Sequence, residues 1–351
     1  KTFEDSYMPS PQHFAIVGAG MAGITCARTL IQAGHKVTVF EQEASVGGRM
    51  VTASSPFGGF DLGAQYFTVR DQRFTQALLT VPGVCRPWSA NAVRVLDSLG
   101  RVVEASRPSL EPHWVPSPDM GALLNAWAKP MADALVLSTR VEALERDAMD
   151  AELWQLRTAT ADGGKHVYAG FDKVILALPH VQTENLLSIQ ELSKLQASLA
   201  DVQVAPCWTL MLAYPQASQP GLGTLGPQWN AALSTHHRIA WLARESSKPG
   251  RTRIERWTVQ ASADWSREHL NDDYARVAAK LHKAFAEVTG IRAEPSYKEV
   301  HRWHSAKTIQ PLGQSHLWDA RLGIGIAGDW CIGHRVEDAF VSGLDLALAA
   351  A

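Results

Sequence analysis

Two hydrophobic rhythms follow one another at the head of the chain. His13-Phe-Ala-Ile-Val17 is a short apolar run that stops at Gly18. Apolar side chains then recur at Ile24, Ala27, Leu30 and Ile31, the spacing of one helix face, and Gly34 supplies a C-terminal stop. Lys36-Val-Thr-Val-Phe40 is a second apolar run of strand length. Strand, helix and strand in this order predict a βαβ unit with a glycine-rich first turn.

Further along, residues 71–79 carry a helical pattern. Residues 85–115 alternate short β-prone pieces with turn signals such as Leu99-Gly100, which predicts a small sheet outside the first unit. Pro116-Ser-Pro118 marks a boundary, and residues 120–135 are helical by pattern. Residues 134–141 and 154–159 read as strands, the second pairing with 166–168 across an Asp162-Gly-Gly turn. Lys173-Val-Ile-Leu-Ala-Leu-Pro179 is apolar on both faces and belongs in a parallel sheet. From Pro206 onward the chain is β-rich at 207–214, 239–243 and 253–261, with an amphipathic helix over 273–289 and a strand over 297–303. This region predicts a second, mostly antiparallel body. A buried strand over 322–328 and a helix over 336–348 return the chain to the first one.

Composition narrows the class of partner. The 351 residues are 46% hydrophobic, too many for one ordinary domain and enough for a sizeable core. A net charge of -2 with no run of like charges gives no footprint for nucleic acid or an anionic membrane, so a small molecule is the expected partner. Cys26, Cys85, Cys207 and Cys331 are widely spaced, which suggests neither a disulfide framework nor zinc and fits a reducing cytoplasm. No apolar stretch approaches the roughly 20 residues of a membrane span. Residues 1–11 read as a disordered leader, with Met8 a candidate native start. Twelve tryptophans, dense between Trp88 and Trp265, suit a planar ligand, although core packing is their commoner role.

The chemistry concentrates in the first turn. Gly18-Ala19-Gly20-Met21-Ala22-Gly23 follows a strand and opens a helix, and Glu41 ends the next strand. This is the context a dinucleotide fingerprint requires. Gly18 permits the tight turn, Gly20 lets backbone approach a pyrophosphate, Gly23 lets helix and strand pack, and Glu41 is placed for ribose hydroxyls. The turn alone does not separate FAD from NAD. Gly47-Gly48-Arg49 offers flexible backbone and a guanidinium to further phosphate or ribityl oxygens. Gly328-Asp329 ends a strand of the same sheet, and the helix beginning near Arg335 and Val336 is placed to stabilise charge on a reduced flavin. An ordinary NAD dehydrogenase has no use for both, so FAD is the expected cofactor. The His236-His237 pair lacks further ligands, and no metal is expected.

Four segments, Ile16-Val-Gly-Ala-Gly-Met-Ala-Gly23, Gly47-Gly-Arg-Met50, Asp61-Leu-Gly-Ala-Gln-Tyr-Phe67 and Gly325-Ile-Ala-Gly-Asp-Trp-Cys331 with Arg335-Val-Glu337, resemble the flavin-containing amine oxidase superfamily and its renalase-like branch. The resemblance implies an α/β fold: a Rossmann-type, glutathione-reductase-like FAD-binding domain from residues 12–75, 116–200 and 305–351, and an α+β substrate domain on an antiparallel sheet from 76–115 and 201–304. It implies that Val141 lies against the adenine, that Asp329 binds the ribityl chain and that backbone near Val336 meets the pyrimidine ring. Gly63, Ala64, Gln65 and Tyr66 are to lie beside the isoalloxazine, and Gln42 and Met50 adjoin the same surface. It further implies hydride transfer to flavin N5 and reoxidation by O2 to hydrogen peroxide. No cysteine stands in a flavin-linking context, so FAD is expected to be non-covalent. No tyrosine pair for an amine cage is evident, which favours dihydro-NAD(P) isomers as substrate. An amine or amino-acid oxidase, a desaturase and a non-catalytic nucleotide-binding module are the alternatives. The candidate substrate pocket comprises Tyr66, Trp330 and one face of the strand over 299–304, His301 with Trp303, in preference to Arg302 with His304. A monomer or homodimer suits these features equally.

Overall fold

The computed structural model describes residues 10–90, 93–105, 111–218 and 226–351, so all but the end of the expected leader lies outside the described residues. A six-stranded sheet runs in the order Leu317–Asp319, Ile324–Ile326, Lys173–Leu176, His13–Val17, Lys36–Phe40, Leu135–Val136. Neighbours are parallel except the edge pair Leu317–Asp319 with Ile324–Ile326. The period of two sends Phe14 and Ile16 to one face, Ala15 and Val17 to the other, and all four are buried. Helices Met21–Gln32 and Val336–Ala350 cover the first face. They cross so closely that a Cβ on Gly343 would lie 2.3 Å from the Ala22 carbonyl oxygen. The second face is covered by a three-stranded antiparallel sheet of Thr139–Arg146, Trp154–Thr160 and Lys165–Phe171, through Phe40, Leu144, Trp154 and Phe171.

The β-rich region forms a seven-stranded sheet in the order Tyr297–Gln310, Gln203–Tyr214, Glu255–Ala261, Ile239–Arg244, Ala231–Ser234, Arg94–Leu96, Val102–Ala105. Helix Tyr274–Thr289 lays Val277, Leu281, Phe285 and Val288 against Trp208, Leu210, Leu212 and Trp257. Asp273 caps its start, and Gly290, at φ +75, ends it. The antiparallel pair Gln203–Tyr214 and Tyr297–Gln310 carries the chain into and out of this body. Most of the tryptophans are core residues: Trp127, Trp154, Trp208, Trp257 and Trp330 are among the largest fully buried side chains.

Three elements differ from the sequence expectation. Residues 85–115 do not form one small sheet: Cys85–Trp88 pairs with His113–Pro116, while Arg94–Leu96 joins the large sheet beside Ala231–Ser234. That partner is so distant in sequence that local turn signals carry no trace of it. The helix expected over 120–135 is an α-helix only over Ala122–Ala128, then tightens to a 3-10 turn over Lys129–Ala134, where Pro130 lacks the N–H an α-helix needs. The strand expected over 134–141 is two strands, Leu135–Val136 and Thr139–Arg146, separated at Ser138 with φ +52. The break lets one piece edge the parallel sheet and the other start the three-stranded one.

Candidate cofactor and substrate site

The three glycines of the first turn do different work. A Cβ on Gly18, where φ is +104, would lie 2.3 Å from the Ala177 carbonyl oxygen, and a Cβ on Gly23 would lie 1.9 Å from the Gly18 carbonyl oxygen. Both are therefore demanded by the packing of strand, turn and helix. A Cβ on Gly20 would meet nothing nearer than the Gly48 Cα at 3.9 Å. Space at Gly20 is left open although the fold does not require it. Helix Met21–Gln32 has no side-chain cap at Gly20, so its first N–H groups remain available to an anion. This arrangement fits a dinucleotide pyrophosphate.

Around that turn, Glu41 is buried and its carboxylate accepts from the Ala19 N–H and the Glu43 N–H, both at 2.9 Å. Burial pushes its carboxyl up, and these two hydrogen bonds act in the opposite direction. Gln42 beside it is exposed, while Val141 is half-buried on the strand that starts where Thr139 N–H meets the Glu41 carbonyl. Gly47 donates to the Ala19 carbonyl, seating the Gly47-Gly48 turn over the first one, and Met50 behind it is buried. Arg49 and Asp329, far apart in sequence, form a two-pronged ion pair with Nη2 at 2.6 Å and Nη1 at 3.2 Å from the two carboxylate oxygens. Sequence reasoning assigned each to the cofactor separately; the structure joins them. Arg335 N–H donates to Asp338 at the start of helix Val336–Ala350, and its guanidinium reaches Thr68 at 2.7 Å.

The segment over 61–67 is gripped from both bodies. The Leu62 carbonyl accepts from Trp303 Nε1 at 3.0 Å and Thr209 Oγ1 at 3.1 Å, and the Gly63 carbonyl from Gln260 Nε2 at 2.8 Å. Ala64 N–H donates to the Arg49 carbonyl. Below it lies a buried charge cluster that sequence reading missed: Lys248 Nζ is 2.9 Å from Asp61, 3.0 Å from Glu245 and 3.2 Å from the Gln65 side-chain oxygen. Only the Lys248-Pro-Gly250 turn was visible in sequence, and a turn lysine ordinarily faces solvent.

Tyr66 stacks on His113 with ring centroids 4.1 Å apart and 16° between planes, and Trp241 and Trp88 stand 5.7 and 6.3 Å away. His301 packs edge-on against Trp303 at 4.4 Å, on one face of Tyr297–Gln310. Trp330 does not join either group. It is 2% exposed in the core beneath the parallel sheet, and its Nε1 donates to the Leu178 carbonyl at 2.9 Å. Its adjacency to Asp329 in sequence suggested a pocket wall, but the 3-10 turn over Asp329–Cys331 points the indole inward. The four thiols are free, and burial pushes Cys26, Cys85 and Cys331 up to about 12. His236 bonds Glu287 and stacks on His237, and among the described residues no cluster of metal-ligating side chains occurs.

Burial holds His113 below its ordinary value, against the opposing pull of the Ala90 carbonyl and Glu111. His13, His180, His282, His301 and His316 are lowered by burial too. The unfolded chain therefore takes up protons first as pH falls. Stability is complete above the unfolded value of about 6.5 and declines from there toward the depressed folded values. The melting temperature is expected to fall between about pH 7 and pH 5, and His113→Phe to flatten that slope.

The comparisons agree with this geometry. The family model for an NAD(P)-binding Rossmann-like domain matches residues 16–80, and that for flavin containing amine oxidoreductase matches residues 109–350. L-amino-acid oxidases of Naja atra and Mus musculus are 54% and 50% identical over 43 and 42 residues, 12% of this chain and 8% and 7% of theirs. The chain thus spans under a tenth of the length of these relatives. A solved structure assigned as a protoporphyrinogen oxidase from Exiguobacterium superposes with a TM-score of 0.70 at 13% identity, covering 97% of this chain and 98% of that one, a likeness of fold. No helix among the described residues is long and apolar enough to cross a membrane. With a family match over most of its length and a dinucleotide turn built as described, the chain belongs to the flavin-containing amine oxidoreductases.

Proposed function

We propose that the protein is an oxidase of renalase-like type that takes a hydride from a dihydro-NAD(P) isomer and holds its FAD without a covalent bond. The observation that carries this reading is the stacked pair of Tyr66 and His113, backed by Trp88 and Trp241, on the segment expected beside the isoalloxazine. Such a wall receives a planar ring plane to plane. When bound, the flavin supplies the acceptor for the hydride and the route of electrons to dioxygen, which yields hydrogen peroxide. Backbone at Gly20 and the first-turn N–H groups hold the pyrophosphate, and Glu41 retains acceptor capacity for ribose hydroxyls. Arg49 fixes the Asp329 carboxylate, and with it the orientation in which that carboxylate meets the ribityl chain. Trp303, Thr209 and Gln260 fix the 63–66 loop from the substrate side. His113 and His301, both lowered by burial, stay neutral at pH 7. A dihydropyridine already carries its transferable hydride and needs no proton withdrawn, which suits neutral walls.

An oxidase of amino acids is the second reading, favoured by the L-amino-acid oxidase relatives and limited by the short stretch they match. Anaerobic mixing of flavin-loaded protein with isomeric dihydro-NAD, and separately with a panel of amines and L-amino acids, decides between them. Bleaching of the visible flavin band by the isomers, with peroxide on aeration, is expected; bleaching by amino acids alone would overturn the assignment. Acid precipitation is expected to release the yellow chromophore. Tyr66→Ala is expected to lower kcat/KM about tenfold, roughly 1.4 kcal/mol, by loss of one ring-on-ring contact, with FAD affinity unchanged.

A further inference from the structure

The aromatic wall at Tyr66 has four rings, and their polar atoms are not equally free. Trp88 spends its Nε1–H on the Ser247 hydroxyl at 3.0 Å, and Trp241 Nε1, though it has no partner, is enclosed in the core. His113 differs from both. It is 6% exposed, and its Nδ1 lies 3.2 Å from the Ala90 carbonyl oxygen. A carbonyl only accepts, so Nδ1 carries the proton and Nε2 of the neutral ring is left as a bare acceptor. Burial, which holds this imidazole below its ordinary value, keeps the ring in that neutral form. Among the described residues Nε2 has no partner, and unlike Trp241 Nε1 it is not sealed from solvent.

The Tyr66 hydroxyl also bonds nothing among the described residues and is not enclosed. Burial pushes it up, against the pull of Arg335, so it stays protonated and offers a donor. The backbone bridge between Phe67 and Trp114, with N–H to oxygen distances of 2.9 and 2.8 Å, holds the Tyr66 and His113 rings face to face at 4.1 Å. One open donor and one open acceptor thus stand side by side on an otherwise apolar wall. Glu111, whose charge acts on His113, is engaged by Arg70 at 2.8 Å. It would repel an anion placed here but not a neutral group.

We propose that His113 Nε2 and the Tyr66 hydroxyl form a specificity-determining pair that reads a primary carboxamide on the planar ring of the substrate, the carboxamide NH2 donating to His113 and its carbonyl accepting from Tyr66. A carboxamide is joined to its ring by a single bond and turns to meet both while the ring stays on the wall. A ring carboxylate brings no proton to Nε2 and is disfavoured beside Glu111, and a ring ketone meets Tyr66 alone. The inference rests on the reading of the substrate as a dihydro-NAD(P) isomer, whose nicotinamide carries such a group, and narrows that reading to the atoms that recognise it.

The test is calorimetric binding, to the FAD-saturated protein, of oxidised NAD and of its 3-acetylpyridine analogue, which keeps the carbonyl and lacks the NH2. Wild-type protein is expected to bind NAD at least about fivefold tighter, the worth of one neutral hydrogen bond. His113→Phe, which keeps an aromatic ring in the stack, is expected to bring the ratio to about one by weakening NAD. Tyr66→Phe is expected to weaken both ligands alike and to keep the ratio. Loss of packing alone would lower both affinities together in His113→Phe and leave the ratio intact. Equal affinities in wild type, binding of neither ligand, a ratio that survives His113→Phe, or Tyr66→Phe protein that binds both ligands as wild type does, overturns the proposal. Failure of the hydride reading is seen separately: dihydro-NAD isomers that leave the flavin band unbleached remove that reading, while a preference for NAD that depends on His113 keeps the carboxamide site.

Discussion

Lys248→Met is expected to destabilise the protein by about 3–5 kcal/mol, read as the loss of unfolding free energy in urea, because it leaves the buried Glu245 without a cation and Asp61 with Arg251 alone. Lys248, Asp61 and Glu245 side chains are each 0% exposed. Burial alone would push Asp61 up, but Lys248 and Arg251 outweigh it and hold the carboxyl below its ordinary value. Its contribution is therefore present above the unfolded value of about 3.9 and is lost as pH falls through the folded one. Removing Lys248 deletes the larger of the two attractions and the third contact of Gln65. Adding Glu245→Gln to Lys248→Met is expected to recover part of the loss, since a neutral amide of the same shape needs no counter-charge while Asp61 keeps Arg251. If the single substitution costs under about 1 kcal/mol, the range of an exposed ion pair, the cluster is not the buried network described.

What sequence revealed about this site depends on how local each cause is. The turn at Gly18, Gly20 and Gly23 was legible because Gly23 answers to Gly18 within one βαβ unit, Gly20 to the ligand itself and Gly18 to its own φ of +104, although what crowds Gly18 is the distant Ala177. The strand–helix rhythms of 13–40 and 273–289 were legible for the same reason. Arg49 and Asp329 were each picked out, but their ion pair joins residues 280 positions apart and leaves no trace in spacing. Tyr66 was marked by resemblance, whereas His113, its stacking partner, was not, because two antiparallel strands over Cys85–Trp88 and His113–Pro116 bring it there. Trp330 failed in the opposite sense: proximity in sequence to Asp329 said nothing about which way a 3-10 turn directs the ring. The Lys248 cluster was invisible since a lysine after a strand is ordinarily solvated, and only the folded chain shows Asp61 waiting beneath it.

Of the three turn glycines, Gly20→Ala is expected to weaken FAD binding about hundredfold, roughly 3 kcal/mol, and to leave the apoprotein within about 1 kcal/mol of wild type. Its backbone, at φ -80 and ψ -168, is open to any L residue, and the added methyl would find 3.9 Å of clearance to Gly48. The only thing it displaces is what belongs above the turn. Gly23→Ala is expected to behave differently, because its methyl would sit 1.9 Å from the Gly18 carbonyl oxygen and force helix from strand. Gly18→Ala adds a φ of +104 to a 2.3 Å clash. Both are expected to destabilise the apoprotein by about 1–3 kcal/mol or more, with FAD affinity falling as a consequence. Fluorescence titration of FAD, paired with urea unfolding of the apoprotein, separates the two behaviours. A Gly20→Ala protein that binds FAD as wild type does would mean the open space at Gly20 is not where the pyrophosphate lies, whereas binding loss without stability loss at Gly20, and both losses together at Gly23, locates the cofactor on the one glycine the fold itself does not need.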